Sequence, residues 1–190
     1  MKTKFLEKAY SELNENIKFS EAKNAALITL NSALIAACSS KVFDANILIY
    51  WRVAIVVFTV LLIIPLVISL FSFRATTNSE KCVVKKLYDF LSNKNIIEST
   101  PEKYMYFAFI AKHYNDKPED YLKDVFSKSS IDEFDVFEQQ MARQIVDLSG
   151  VAFRKFILFN IAIRIECTIF LLGGLSALII SIIKLICQMH

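Results

Sequence analysis

The chain has 190 residues, 55% of them hydrophobic, with only three glycines and three prolines. So few breakers exclude glycine-rich phosphate loops and most turn-rich β folds, and point to an all-α chain. The formal net charge of +3 is too small to argue for a nucleic-acid partner, and none is expected.

In chain order, residues 1–24 read as a cytoplasmic, amphipathic N-terminal helix. The first apolar segment follows at 25–39, AALITLNSALIAACS, short and carrying Asn31. The second, VAIVVFTVLLIIPLVISLFSF at 53–73, has no charge, and a helix of about 20 such residues spans a hydrocarbon core. Pro65 lies inside it and is expected to kink it. Tyr50, Trp51 and Arg52 precede it, as suits the membrane interface. Residues 25–73 therefore read as a membrane hairpin with a short outer loop at about 40–46. The third segment, CTIFLLGGLSALIISII at 167–183, is extended backwards by the apolar run 156–163. Residues 156–190 read as a membrane segment that continues a long helix.

Orientation follows from the cations. Residues 1–24 hold five lysines and residues 74–163 hold thirteen Lys and Arg, whereas the loop between segments one and two offers only Lys41 before Arg52. The N-terminus and the region 74–155 are expected in the cytoplasm, with three spans carrying the C-terminus outside. The chain is therefore expected to be a multi-pass membrane protein. The four cysteines, Cys38, Cys82, Cys167 and Cys187, form no CxxC spacing. They read as free thiols of a reducing compartment, although Cys38 and Cys187 both fall near the outer face, where pairing is chemically possible.

Capping signals divide the region 74–155 into a small helical bundle. Thr77-x-x-Glu80 opens a helix over 80–93. Thr100 before Pro101 opens one over 101–114, and Asp116-x-x-Glu119 with Pro118 opens one over 118–127. Ser130-x-x-Glu133 opens the last helix, which meets no proline to the end of the chain. On it Phe134, Phe137, Met141, Ile145, Leu148, Ala152, Phe156 and Phe159 form one apolar stripe toward the membrane. The bundle is small enough to need help from the membrane or from self-association.

There is no HExxH, no Walker loop and no GxSxG, so no catalytic residue, metal site or cofactor is expected. Aromatic density remains to be explained. A small phosphorylated base is held by stacking on aromatics and by a cation on the phosphate. Tyr106, His113, Lys85, Lys86, Lys112 and Arg143 are the candidates, with Arg143 chosen for the phosphate. The competing reading for Arg143 is an intrahelical pair with Asp147. Taken residue by residue, Tyr106, Phe107 and Phe109 read rather as core.

Polar groups at membrane depth are expensive and need partners. Arg164 and Glu166 are two apart on a helix and cannot pair with each other. Glu21–Arg164 and Lys23–Glu166 are the expected cross-helix pairs, with lipid headgroups as the alternative. Small residues recur every four positions at Ala25, Thr29, Ala33 and Ala37, and again at Gly173, Ala177 and Ser181. Such faces permit close helix approach.

Three blocks of this chain together resemble a known family. SEAKNAALITLNSAL is similar to D-x-K-A-x-x-L-x-x-L-N, with Glu21 for the acid and Lys23, Leu27, Leu30 and Asn31 in register. YFAFIAKHYNDKPEDYL resembles F-F-G-x-I followed by E-x-Y-L, through Tyr106, Phe107, Ile110, Glu119, Tyr121 and Leu122. ARQIVDLSGVAFRKFILFNIAI resembles Q-I-x-x-L…K-Y-x-x-L-x-x-A, through Gln144, Ile145, Leu148, Lys155 and Ala162. Asn24, Ala108, Phe156 and Phe159 depart from the pattern, standing for alanine, glycine, tyrosine and leucine. The family is the transmembrane effectors of the Pycsar antiphage systems. The resemblance implies a partner cyclase that makes cyclic CMP or cyclic UMP on infection. It also implies an effector that senses this nucleotide in the cytoplasm and impairs the bacterial inner membrane, in abortive infection. A lipid bilayer and further copies of the chain, as a homo-oligomer, are the other expected partners, and no enzyme is expected. The competing functions are a membrane adaptor or structural protein that binds a protein partner, and an effector gated by a cyclic oligonucleotide from a CBASS or CRISPR system.

Overall fold

The computed structural model describes residues 2–44, 47–73, 105–114, 117–126 and 134–189, with side chains as far as residue 179 and at Ser181. Among them are five helices and no strand: α1 (Lys2–Val42), α2 (Ile49–Phe71), α3 (Phe107–His113), α4 (Pro118–Phe126) and α5 (Val136–Met189). The protein is all-α. The chain divides into two compact units, one of Met1–Ala22 with Arg74–Ile157, the other of Lys23–Phe73 with Leu158–His190. Helices α1 and α5 are unbroken and contribute to both.

The first unit is a bundle built on period-3.6 apolar faces. Its core joins Leu6, Ala9 and Leu13 of α1 to Phe107, Ile110 and Tyr114, to Tyr121 and Leu122 of α4, and to Met141, Ala142, Ile145, Val146 and Ala152 of α5. Each large side chain removed from water contributes about 1.5–3 kcal/mol before entropy is counted. Tyr121 is wholly buried, and that burial pushes its phenol well above the ordinary tyrosine value. The neighbouring Tyr114 hydroxyl donates to Asp124 Oδ2 at 2.9 Å.

Three local expectations are corrected here. The helix expected from Pro101 begins at Phe107, because Tyr106 is extended, with φ −80° and ψ 113°. Helix α5 begins at Val136 rather than near Ser130, which lies outside the described residues. Its start is a capping box one turn later: Asp135 Oδ1 accepts from Phe137 N at 3.2 Å, and Glu138 Oε2 accepts from Asp135 N at 3.3 Å. Phe137 leaves the expected stripe and is 49% exposed. Four-residue steps drift by about 40° each around a helix, so Phe137 falls off a face centred on Ile145, Ser149 and Ala152. The helix expected over 80–93 lies outside the described residues.

The second unit holds the apolar parts of three helices, α1, α2 and α5, each long and apolar enough to cross a membrane. Its outer surface carries Val53, Val56, Val57, Val60, Leu171, Leu172 and Leu175 exposed. Such a surface suits lipid and not water. Pro65 is buried inside α2, which runs on to Phe71. Helices α1 and α5 lie side by side here and point the same way. Lys23 Nζ is 5.4 Å from the Phe159 ring centroid, and Asn31 Nδ2 donates to Glu166 Oε2 at 3.2 Å, so residue numbers rise together on both. On α2, Phe58 meets Phe170 of α5 edge-on, centroids 5.8 Å apart. Cys38 and Cys167 are free thiols.

Candidate functional site

In the first unit one short stretch of α5, Phe153 to Phe156, is met by α1 and α3 together. Lys155 Nζ donates to Glu21 Oε1, with the two side chains 13% and 42% exposed. The Phe156 ring stacks on Phe107 with centroids 5.0 Å apart and planes 23° apart, and Phe19 of α1 approaches it at 6.4 Å. Lys112 Nζ stands 5.7 Å from the Phe153 ring centroid, close enough for a cation–π contact. Tyr106 lies against Phe107 at 5.1 Å and stays 39% exposed. On the outer side of α3, His113 stacks on Phe109 at 4.0 Å, with its Nδ1 3.1 Å from Phe109 O.

Two ammonium groups, one carboxylate and a wall of rings are thereby gathered on three helices. An arriving anion competes with Glu21 for Lys155, and a flat base finds exposed rings at Tyr106 and His113. Among the described residues no group of His, Cys, Asp and Glu is placed to hold a metal ion.

Arg143 lies elsewhere on α5, exposed on a face with Val136, Gln140, Asp147 and Gly150. Among the described residues it makes no ion pair, the competing intrahelical one with Asp147 included. Lys112 and Tyr106 are brought to the aromatic cluster, and His113 to its outer edge. Lys85 and Lys86 lie outside the described residues. The Glu21–Lys155 pair was not anticipated, although both residues sit in the blocks that carry the family resemblance.

A family model described as the Pycsar effector protein domain matches residues 5–187, nearly the whole chain. The chain belongs to that family. No curated protein and no solved structure matches it.

This Pycsar effector is a membrane protein of antiphage defence, and its family is not a known enzyme family. The blocks of resemblance, far apart in sequence, meet in the fold. The acid of the first block, Glu21, holds the lysine of the third, Lys155. Phe107 of the second block stacks on Phe156, where the family pattern has tyrosine. Tyr121 and Leu122 are core, so packing explains the Tyr and Leu of the E-x-Y-L box, while Glu119 is exposed.

The expected membrane pairs are replaced in this Pycsar effector. Glu21 pairs with Lys155 and not with Arg164, which is exposed. Glu166 pairs with Asn31 and not with Lys23, whose ammonium lies over Phe159. The reason is depth along the parallel helices: Lys23 is level with Phe159, two turns before Glu166, while Asn31 is level with it. Gly173 faces Phe58, and a Cβ there would stand 3.4 Å from Phe58 Cε2. Ala177 is half-buried, and Ser181 is exposed with its hydroxyl donating to Ala177 O at 2.9 Å. The first stripe, Ala25, Thr29, Ala33 and Ala37, is exposed along its length.

Proposed function

We propose that this effector sits in the bacterial inner membrane with its N-terminus and first unit in the cytoplasm. There it takes a cyclic pyrimidine mononucleotide, cyclic CMP or cyclic UMP, made by a partner cyclase. Binding drives the second unit to impair the bilayer, and abortive infection follows. The observation that carries this reading is the family match over residues 5–187. Two features support it. The first unit offers cations beside exposed rings, the chemistry that a phosphorylated base asks for. The parallel direction of α1 and α5 suits three crossings, since the first and third spans of such a chain run the same way.

Arg143, on a stretch of α5 apart from those rings, is the cation assigned to the phosphate, and the ring cluster with Lys112 and Lys155 is the alternative place for it. It is exposed and free of ion pairs among the described residues, so a ligand gains its charge without first breaking a contact. The effector acts as a homo-oligomer, and the exposed Ala25, Thr29, Ala33 and Ala37 stripe gives its helices a face for close approach.

The test is thermal unfolding of the purified full chain in detergent or nanodiscs with a panel of cyclic nucleotides. A ligand that binds only the folded state raises its stability, by about 2.7 kcal/mol at a hundredfold excess over Kd. Stabilisation by cyclic CMP or cyclic UMP supports the reading. Stabilisation by a cyclic oligonucleotide alone moves the effector to a CBASS or CRISPR circuit. A panel with no effect favours a protein partner.

A further inference from the structure

Inside the second unit, one buried acceptor on α1 and one on α5 have no donor among the described residues. Asn31 is fully buried and Glu166 is 1% exposed. Asn31 spends its amide hydrogens on Leu27 O at 3.0 Å and on Glu166 Oε2 at 3.2 Å. Among the described residues, Asn31 Oδ1 and Glu166 Oε1 are left buried without a hydrogen-bond partner. These two oxygens belong to the same two groups that already share one hydrogen bond. An ionised carboxylate accepts only, so it would face the amide oxygen as a second bare acceptor. Buried polar groups of this kind are costly when unmatched, and more so at membrane depth.

We infer that Asn31 and Glu166 form a proton-binding site: Glu166 carries its proton at neutral pH and donates it from Oε1 to Asn31 Oδ1. The proton comes from the aqueous phase and returns to it. The outcome is a paired acid–amide contact, Nδ2–H to Oε2 in one direction and Oε1–H to Oδ1 in the other. One proton then satisfies both orphan oxygens and fastens α1 to α5. Loss of that proton leaves a charge between the helices and unfastens them, which makes the second unit responsive to pH.

A metal cation fits less well. Hard cations ask for about six oxygens, and here two side-chain oxygens are free while the surrounding carbonyls serve their own helices. Among the described residues no other charged group takes the role. On α1, Lys23 lies over Phe159, and Cys38 and Lys41 follow Asn31 by seven and ten positions. At the start of α2, Arg52 donates to Asp44 O at 2.8 Å, with Tyr50 beside it in sequence. On α5 itself Arg164 and Cys167 are exposed. The inference is independent of the nucleotide proposed for the first unit, because every group it uses lies in the second.

Infrared spectroscopy of the full chain in lipid vesicles tests it. Wild-type protein at neutral pH is expected to show the C=O stretch of a protonated carboxylic acid. The band should shift on 13C-glutamate labelling, vanish in Glu166→Gln, and disappear as pH is raised. A wild-type spectrum with no such band at neutral pH overturns the inference, and that arm needs no variant. Glutamine offers the same donor and acceptor as the neutral acid. Glu166→Gln should therefore keep the wild-type melting temperature at neutral pH, while Glu166→Ala lowers it. A Gln variant as unstable as the Ala variant overturns the inference as well.

Discussion

Lys155 pairs with Glu21 across 134 residues of chain, joining the last helix of the effector to its first. The pair stands beside the Phe107–Phe156 stack, where α1, α3 and α5 meet. Lys155 is mostly sheltered and Glu21 half-open, so solvent weakens the attraction without abolishing it.

Breaking this pair should cost little, and the cost should be mutual. Glu21→Gln and Lys155→Met are each expected to lower stability by about 1 kcal/mol or less, the range of partly exposed ion pairs. The double variant should lose less than the sum, with a coupling of about 0.5–1 kcal/mol from a thermal-unfolding double-mutant cycle. Additive losses would show that the two charges do not interact in solution.

Arg143 differs in being exposed and without an ion pair among the described residues. Arg143→Ala should leave the melting temperature within error. If Arg143 meets the phosphate, affinity for cyclic CMP or cyclic UMP should fall about ten- to hundredfold, the equivalent of roughly 1.5–3 kcal/mol for a charge-assisted contact. Calorimetric titration measures it. Wild-type affinity in the variant moves the phosphate toward Lys112 and Lys155.

At Gly173 the structure gives the small-residue face an address, the ring of Phe58. Gly173→Ala places its methyl at ordinary contact distance and should be tolerated. Gly173→Leu must push Phe58 aside at a cost of about 1–3 kcal/mol. It should abolish toxicity in cells while the protein still inserts and accumulates, as read by membrane fractionation and a growth assay. Undiminished toxicity would mean that the α2–α5 contact is dispensable.

Topology is open to a direct check. A reporter fused after His190 should be periplasmic and one inserted near Asn115 cytoplasmic, as the cation distribution requires. A cytoplasmic reporter after His190 would mean that α1 or the last part of α5 does not cross.

Helix content, the three apolar segments and the family were legible in the residues themselves. Local forces set each of them: the scarcity of glycine and proline, the length of an uncharged run, and the order of short motifs along the chain. The start of α4 at Pro118 was legible for the same reason, since proline fits a first helical turn. Pairings were another matter. Glu21 has Lys23 and Lys155 as possible partners as well as Arg164, and composition cannot rank them. Only the relative depth of α1 and α5 decides that Lys155 lies opposite Glu21, and that Asn31 lies opposite Glu166. A shift of one helix by two turns, roughly 10 Å at 1.5 Å per residue, would exchange every such partner while leaving each helix's own sequence signals untouched. That register comes from packing summed over many contacts, which no single motif encodes.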